Sequence, residues 1–500
     1  MASIAIQPST RSSLGHIPGP PPTPIIGKYG NTIQLVNDTV GYADRLYKRY
    51  GPVAAVVRGE KGVNFSNPQA DCPGSVIICG PELTYNYATQ HDTYNKIPLT
   101  GLLYRQRNVS PRTAPLKHLL TGLFAVQHEQ HRKERRMLQP AFSKKNILAY
   151  REDMVHITQS VLDGLQIGKR YDIASEARIL TSRIATKTLF GQDIAESTSD
   201  DAQAAITIQQ TFAALANPFT TLIPIDLPGT PYHRFLTIIN RFDHEMRTLV
   251  ARKRKEDVAG NDMLSVLLNT SEEGETFDED TILGHVGVIF AAGHETSTNA
   301  IDWTLLLLSQ HPHILADVVD ELSAVLHGDA PTLEQLAKLP LLERVIKESM
   351  RLLPPAPLNL KILAEPVEIG GYHLPAETAI YLNIYTLHHL PEIYPDPQAF
   401  KPERWETINP PLSQYHPFGG GSRMCIGASF AMMEIKIVLA MLLQRFRLQL
   451  IPNQTISRFG TITMAPKHGM HVTLHPQDRQ FHQGLGKIRG NIHEMVDLPS

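Results

Sequence analysis

From about residue 127 to residue 350, apolar residues recur at three- and four-residue spacing, the period of helices that bury one face. The longest such stretch runs from Asp278 to Gln310, DEDTILGHVGVIFAAGHETSTNAIDWTLLLLSQ, and its middle is apolar nearly all round. A helix without a polar face is buried, so this segment predicts a central helix. A second long helix is expected near Ile426–Phe446. Between residues 51 and 80 the pattern changes to short apolar runs, VAAVV and SVIIC, bounded by turn residues, which read as strands. Strand signals return in EPVEIGGYHLP, in TAIYLNIYTL and, near the end, in ITMAPKHGMHVTL. The pattern predicts a mainly α fold with small β-sheets, and no internal repeat interrupts it.

The run Ile17-Pro18-Gly19-Pro20-Pro21-Pro22-Thr23-Pro24 is too rich in proline for a helix or a central strand, so it is expected to lie extended over a surface. Residues 1–16 before it read as a flexible tail, and residues 475–500 as a polar one. No Gly/Ser-rich or charged linker divides the chain between them, so residues 17–474 are expected to form a single domain. No stretch approaches the roughly 20 apolar residues needed to span a bilayer. The N-terminus is Ser-rich and acid-poor, faintly like a transit peptide, but it lacks the apolar run of a signal peptide. A soluble, cytoplasmic chain is the expectation.

Composition adds limits. The 500 residues are 42% hydrophobic and 19% charged with a formal net charge of −2, enough for a large core and far from the basic balance of a nucleic-acid binder. Three cysteines, Cys72, Cys79 and Cys425, do not make a disulfide framework and suit a reducing compartment. Cys72 and Cys79 flank an apolar strand and read as buried small apolar residues.

Cys425 is different. It follows Phe418-Gly419-Gly420-Gly421-Ser422-Arg423-Met424 and precedes Ile426-Gly427 and the last long helix. Glycines permit a tight loop and close approach to a flat cofactor, and a helix N-terminus stabilises a thiolate. The competing readings are a buried thiol at a helix start or a phosphate-cradling loop, and the latter fails because Met424 stands where GxGxxG needs glycine.

Within the central helix, Ala292-Gly293-His294-Glu295-Thr296-Ser297 is costly, since a mid-helix glycine loses about 1 kcal/mol against alanine. Thr296 is placed to hydrogen-bond the Ala292 carbonyl, opening a groove for oxygen or merely capping a kink. A zinc HExxH site is excluded, because Thr298 stands where the second histidine belongs. Glu348 and Arg351 lie at i and i+3 before a helix-ending LLPPAP, and Arg404 follows in Pro402-Glu403-Arg404-Trp405. A second arginine closing on Glu348 makes a buried, structural triad. His131 and Arg135, at i and i+4, can reach together towards two carboxylates; a solvated charged face is the alternative.

Together these residues resemble the cytochrome P450 family. Phe418, Gly421, Arg423, Cys425 and Gly427 match its FxxGxRxCxG loop, and Ala292, Gly293, Glu295, Thr296 and Ser297 match its [AG]Gx[DE]T[ST] motif. Glu348 and Arg351 match ExxR, Arg404 matches the PERW element, and the order and spacings agree over roughly residues 17–474. The resemblance implies a triangular prism of helices around a long central I-type helix, with haem b as cofactor and Cys425 as its axial iron ligand. It implies that His131, Arg135 and Arg423 hold the propionates. Two departures are Lys361, where many members have an arginine after the PPxP turn, and histidine at 131 instead of tryptophan, a choice frequent in soluble bacterial members. Lysine meets a carboxylate only as a point charge.

The implied activity is insertion of one atom of O2 into an apolar small molecule. A thiolate ligand pushes electron density towards O–O cleavage, and Thr296 with Glu295 suits proton delivery. Electrons are expected from an external acidic donor, a ferredoxin or flavodoxin with its reductase, docking at Arg132, Lys133 and Arg136. A peroxide-driven peroxygenase or isomerase, and a non-catalytic haem sensor, are the alternatives. The expected pocket walls are Leu102–Tyr104, Phe212–Phe219, Ile289-Phe290 and Leu358–Leu360, which suit a fatty acid, terpenoid or polyketide-like molecule. Arg105 and Arg107 are candidates to hold a carboxylate or are plain surface arginines, and Leu227–Arg234 reads as a lid or a connection.

Overall fold

In the computed structural model the central helix runs Glu279–Gln310, 32 residues, or about 48 Å at 1.5 Å per residue. Asp278 starts it by accepting the Thr281 N–H at 2.7 Å, and Pro312, at the start of the next helix, stops it. Residues 14–62, 72–96, 110–193, 195, 206–208, 210–211, 214, 220, 225–256, 260, 262–272, 274–460 and 463–498 are described. The expected walls at Leu102–Tyr104 and most of Phe212–Phe219, with Arg105 and Arg107, lie outside them.

The largest apolar core gathers around the central helix, whose Trp303 is fully buried and donates its indole N–H to the Met464 carbonyl at 2.9 Å. Helix Ile173–Phe190 packs along it, and the Thr181 and Thr298 hydroxyls join the two helices at 2.6 Å. A second core lies on a five-stranded sheet in the order Val53–Ala55, Ser75–Ile78, Ala379–Asn383, Leu358–Leu363, Tyr94–Lys96. Only the pairing of Ser75–Ile78 with Ala379–Asn383 is parallel. Val76, Ile77 and Ile78 are all buried, which is why that strand reads as an unbroken apolar run. Phe446–Leu450, His471–Pro476 and Arg170–Asp172 form a three-stranded antiparallel sheet. The fold is mainly α with small sheets, as the pattern predicts.

Residues 14–24 and 475–498 pack onto the rest of the fold. The proline-rich run is extended, but the Pro18 and Pro20 carbonyls accept the Ala55 and Arg58 N–H groups, and Leu14 and Ile17 are buried. Residues 475–498 are not a free tail. Phe481, Ile488, Ile492, Met495 and Val496 are buried against the main core, and Arg458 ties Glu494 to Asp38. No helix among the described residues is long and apolar enough to cross a membrane.

Candidate active site

The glycine loop is shaped by a close approach of backbone to backbone. Gly421 has φ +63°, and a Cβ there would lie 2.1 Å from the Ala88 carbonyl, so only glycine fits. The Cys425 N–H donates to the Phe418 carbonyl at 2.8 Å, closing the loop, and the Ser422 N–H donates to His91 Nε2 at 2.9 Å. Gly427 caps helix Ala428–Arg445, so Cys425 stands three residues before an 18-residue helix. Its side chain is solvent-accessible, yet enough protein surrounds it for desolvation to raise its thiol. Both statements hold for a group lining a recess. The Gly427 N–H and the charge of Arg135 work the other way and favour the thiolate. A metal cation bound at sulfur displaces that proton outright.

The central helix adjoins helix Ala428–Arg445 and is open where the motif falls. From Val288 to Thr296 only Phe290 is buried, whereas Ser297–Gln310 is buried throughout. A Cβ built on Gly293 meets nothing within 4 Å, and Ala292 is only half-buried. The Thr296 hydroxyl donates to the Ala292 carbonyl at 2.7 Å, while Glu295 is exposed.

Beside Cys425 lies a cluster of basic side chains. Burial drives His131 down to about 3, helped by the charges of Arg423, Arg135, His91 and Arg132, so its imidazole is neutral at physiological pH. Burial and the neighbouring Arg135 likewise pull Arg423 down to about 10. Arg423 donates to the Leu123 and Val126 carbonyls at 2.8 and 2.6 Å and to Gln127 Oε1 at 2.7 Å. Among the described residues no carboxylate pairs with His131, Arg135 or Arg423. Such mutual repulsion is relieved by an anion, and a group carrying two carboxylates beside an accessible cysteine fits the donor set. The fourth basic residue named from the sequence is Lys361. It is buried beneath the Tyr87 ring, 4.2 Å from its centroid, and donates to the Tyr87 carbonyl at 2.5 Å.

Glu348 is fully buried and joins its own helix, Pro340–Leu352, to the turn Pro402–Glu406. Its carboxylate accepts two hydrogen bonds from Arg351 at 2.9 Å, one from Arg404 Nε at 2.9 Å, and one from the Trp405 indole at 2.9 Å. Arg351 then donates to the His388 and Pro397 carbonyls, both at 2.8 Å. Sequence reasoning missed His91, a lone loop histidine without a pattern, and Glu434. The latter is buried in the helix after Cys425 at a position indistinguishable from a surface acid.

The cytochrome P450 family pattern matches residues 92–472. The chain is 32% identical to a cyclooctat-9-en-7-ol 5-monooxygenase of Streptomyces melanosporofaciens, over 76% of this chain and 83% of that one. It is 28% identical to a pentalenene oxygenase of Streptomyces avermitilis, over 80% and 87% of the two chains. Among solved structures, the retinoic acid bound cyanobacterial CYP120A1 superposes with a TM-score of 0.75 at 25% identity, covering 92% of this chain and 99% of that one. Fold, loop and matched span agree: the chain belongs to the cytochrome P450 family and is a haem-binding monooxygenase.

Proposed function

We propose that this P450 hydroxylates an apolar, terpenoid-like small molecule at a haem b, with electrons supplied by a separate acidic ferredoxin or flavodoxin and its reductase. The observation that carries the site is the accessible Cys425 beside His131, Arg135 and Arg423, which pair with no carboxylate among the described residues. In this reading Cys425 would hold the haem iron and the three basic residues would hold the propionates. Lys361 donates one of its three N–H groups to the Tyr87 carbonyl. Glu348, Arg351 and Arg404 are structural. The three cysteines, free of disulfides, suit a cytoplasmic location.

The substrate class draws on two supports. Relatives are named for oxidising cyclooctat-9-en-7-ol and pentalenene. The open middle of the central helix offers Ile289, Ala291, Ala292 and Gly293 as an apolar wall, with Glu295 and Thr296 as its polar groups.

When bound, the haem supplies oxygen activation at its iron. Cys425 would supply the anionic sulfur that tunes that chemistry by electron donation. Thr296 keeps its hydroxyl proton on the Ala292 carbonyl at rest; rotation about χ1 turns that O–H into the groove, where Oγ1 hands the proton on. Glu295, accessible and next in sequence, re-supplies it. Thr296→Ala removes the donor and leaves the fold intact. With a cyclic terpenoid alcohol and a surrogate reductase, the variant should consume oxygen at a similar rate. Product should fall several-fold while hydrogen peroxide accumulates. An unchanged ratio of product to oxygen consumed would sink the role assigned to Thr296.

A further inference from the structure

The basic helix His128–Leu138 carries Arg132, Lys133 and Arg136 outside the His131–Arg135 strip, and glutamates of the same chain already engage all three. Arg132 pairs with Glu129 within the helix at 2.6 Å. Lys133 pairs with Glu275, and Arg136 pairs with Glu272 at 2.7 Å. Glu272 and Glu275 come from a two-stranded hairpin, Ser271–Glu272 against Glu275–Thr276, turned by Gly274 at φ +82°.

That hairpin is poorly built to stand alone. Strands of two residues bury almost nothing, and isolated hairpins are marginal even when longer. Its register sets Glu272 directly opposite Glu275, and like charges facing each other across a ladder are destabilising. Lys133 and Arg136 offset that repulsion. The hairpin is therefore an acidic segment held down by the basic helix, and its carboxylates offer that helix the same chemistry as an acidic protein.

We propose that the Ser271–Thr276 hairpin is an intramolecular competitor for the electron donor: it covers Lys133 and Arg136, and an acidic donor gains those cations only by displacing Glu275 and Glu272. This rests on the acidic-donor reading above and adds to it a tethered rival that weakens long-range attraction and docking. Uncovered cations lie close by. Lys144 and Lys145 are exposed and pair with no acid among the described residues. They begin the helix after Phe142, whose ring lies 3.6 Å from where a Gly427 Cβ would stand, beside the cysteine loop.

The test uses the full-length, haem-loaded enzyme and a purified [2Fe–2S] ferredoxin with an acidic surface. Ferredoxin affinity and the rate of first-electron reduction under carbon monoxide are measured from 20 to 300 mM salt. Glu272→Gln with Glu275→Gln should tighten binding about three- to ten-fold at low salt, the range expected from releasing two exposed ion pairs, and converge with the unaltered enzyme at high salt. Lys133→Gln with Arg136→Gln should change little alone but cancel that gain when combined with it. Circular dichroism and peroxide-driven turnover should be the same in all these variants. Unchanged affinity in the hairpin variant, alongside weakened binding in Lys144→Glu with Lys145→Glu, overturns the competitor and keeps the acidic donor. Indifference of reduction to salt and to every charge change overturns the acidic donor itself.

Discussion

Glu434 lies fully buried in the helix that follows Cys425, and burial pushes its carboxyl up to about 8, with a smaller opposing pull from the Ser297 hydroxyl. The folded carboxyl therefore keeps its proton to about pH 8, while the unfolded one loses it near 4.5. Between those values the unfolded state binds fewer protons, so stability is full below 4.5 and declines as pH rises, by at most about 1.4 kcal/mol per unit. Glu434→Gln removes that dependence. Urea unfolding should show the variant gaining on the unaltered protein by on the order of 3 kcal/mol between pH 5 and pH 8. A constant difference across that range would mean that Glu434 ionises normally in the fold. At this scale the sequence was legible wherever backbone geometry or covalent chemistry leaves one residue type. Gly421 admits no side chain, and Thr296 bonds the carbonyl four residues back. Glu434 and His91 were not legible, because their meaning comes from what other segments place beside them. The surroundings of Lys361 were hidden for the same reason: the rings that cover it, Tyr87 and Tyr94, lie far away in sequence.

Elements were easier to read than their junctions. The central helix has an aspartate cap at one end, a proline just past the other and no polar face, so its bounds followed from the chain itself. The segment from His388 to Lys401 is irregular, and what fastens it is the cluster around the Glu348 carboxylate. Arg351 and Arg404 are held by one acid, and Arg351 in turn holds the carbonyls of His388 and Pro397. The cluster fastens the segment that leads to the cysteine loop. Removing the single negative charge leaves two buried guanidinium groups uncompensated, a change that costs about 3–5 kcal/mol. Glu348→Gln should lower the urea midpoint accordingly and yield protein that loses haem during purification. A variant that retained haem and unfolded at the unaltered midpoint would show that the backbone carbonyls alone hold the arginines.

For the whole molecule, the last stretch of chain shows what pattern reading leaves out. Phe481, Ile488, Ile492, Met495 and Val496 fall at roughly helical spacing, but Gly484, Gly486 and Gly490 interrupt them, and short 3₁₀ turns form instead of a helix. Polar residues dominate the composition, so the segment reads as a tail, although Ile492 and Val496 are completely buried. Its backbone is tied in as well: the Asn453 N–H donates to the Lys487 carbonyl at 2.6 Å, and the Asp497 N–H to the Gln398 carbonyl at 2.9 Å. Gln398 follows Pro397, whose carbonyl Arg351 holds, so the end of the chain buttresses the same irregular segment that Glu348 organises. Each fully buried aliphatic side chain contributes about 1.5–3 kcal/mol. Truncation after Pro476 should therefore lower the thermal midpoint steeply and lower haem retention with it. The Val496→Asp variant, which keeps the chain length, should do the same to a smaller extent by burying an unpaired charge. Equal midpoints for the truncated and full chains would show that the segment rests on a core already complete without it. A fall in stability with haem retention unchanged would confine its support to the outer shell and detach it from the cysteine loop.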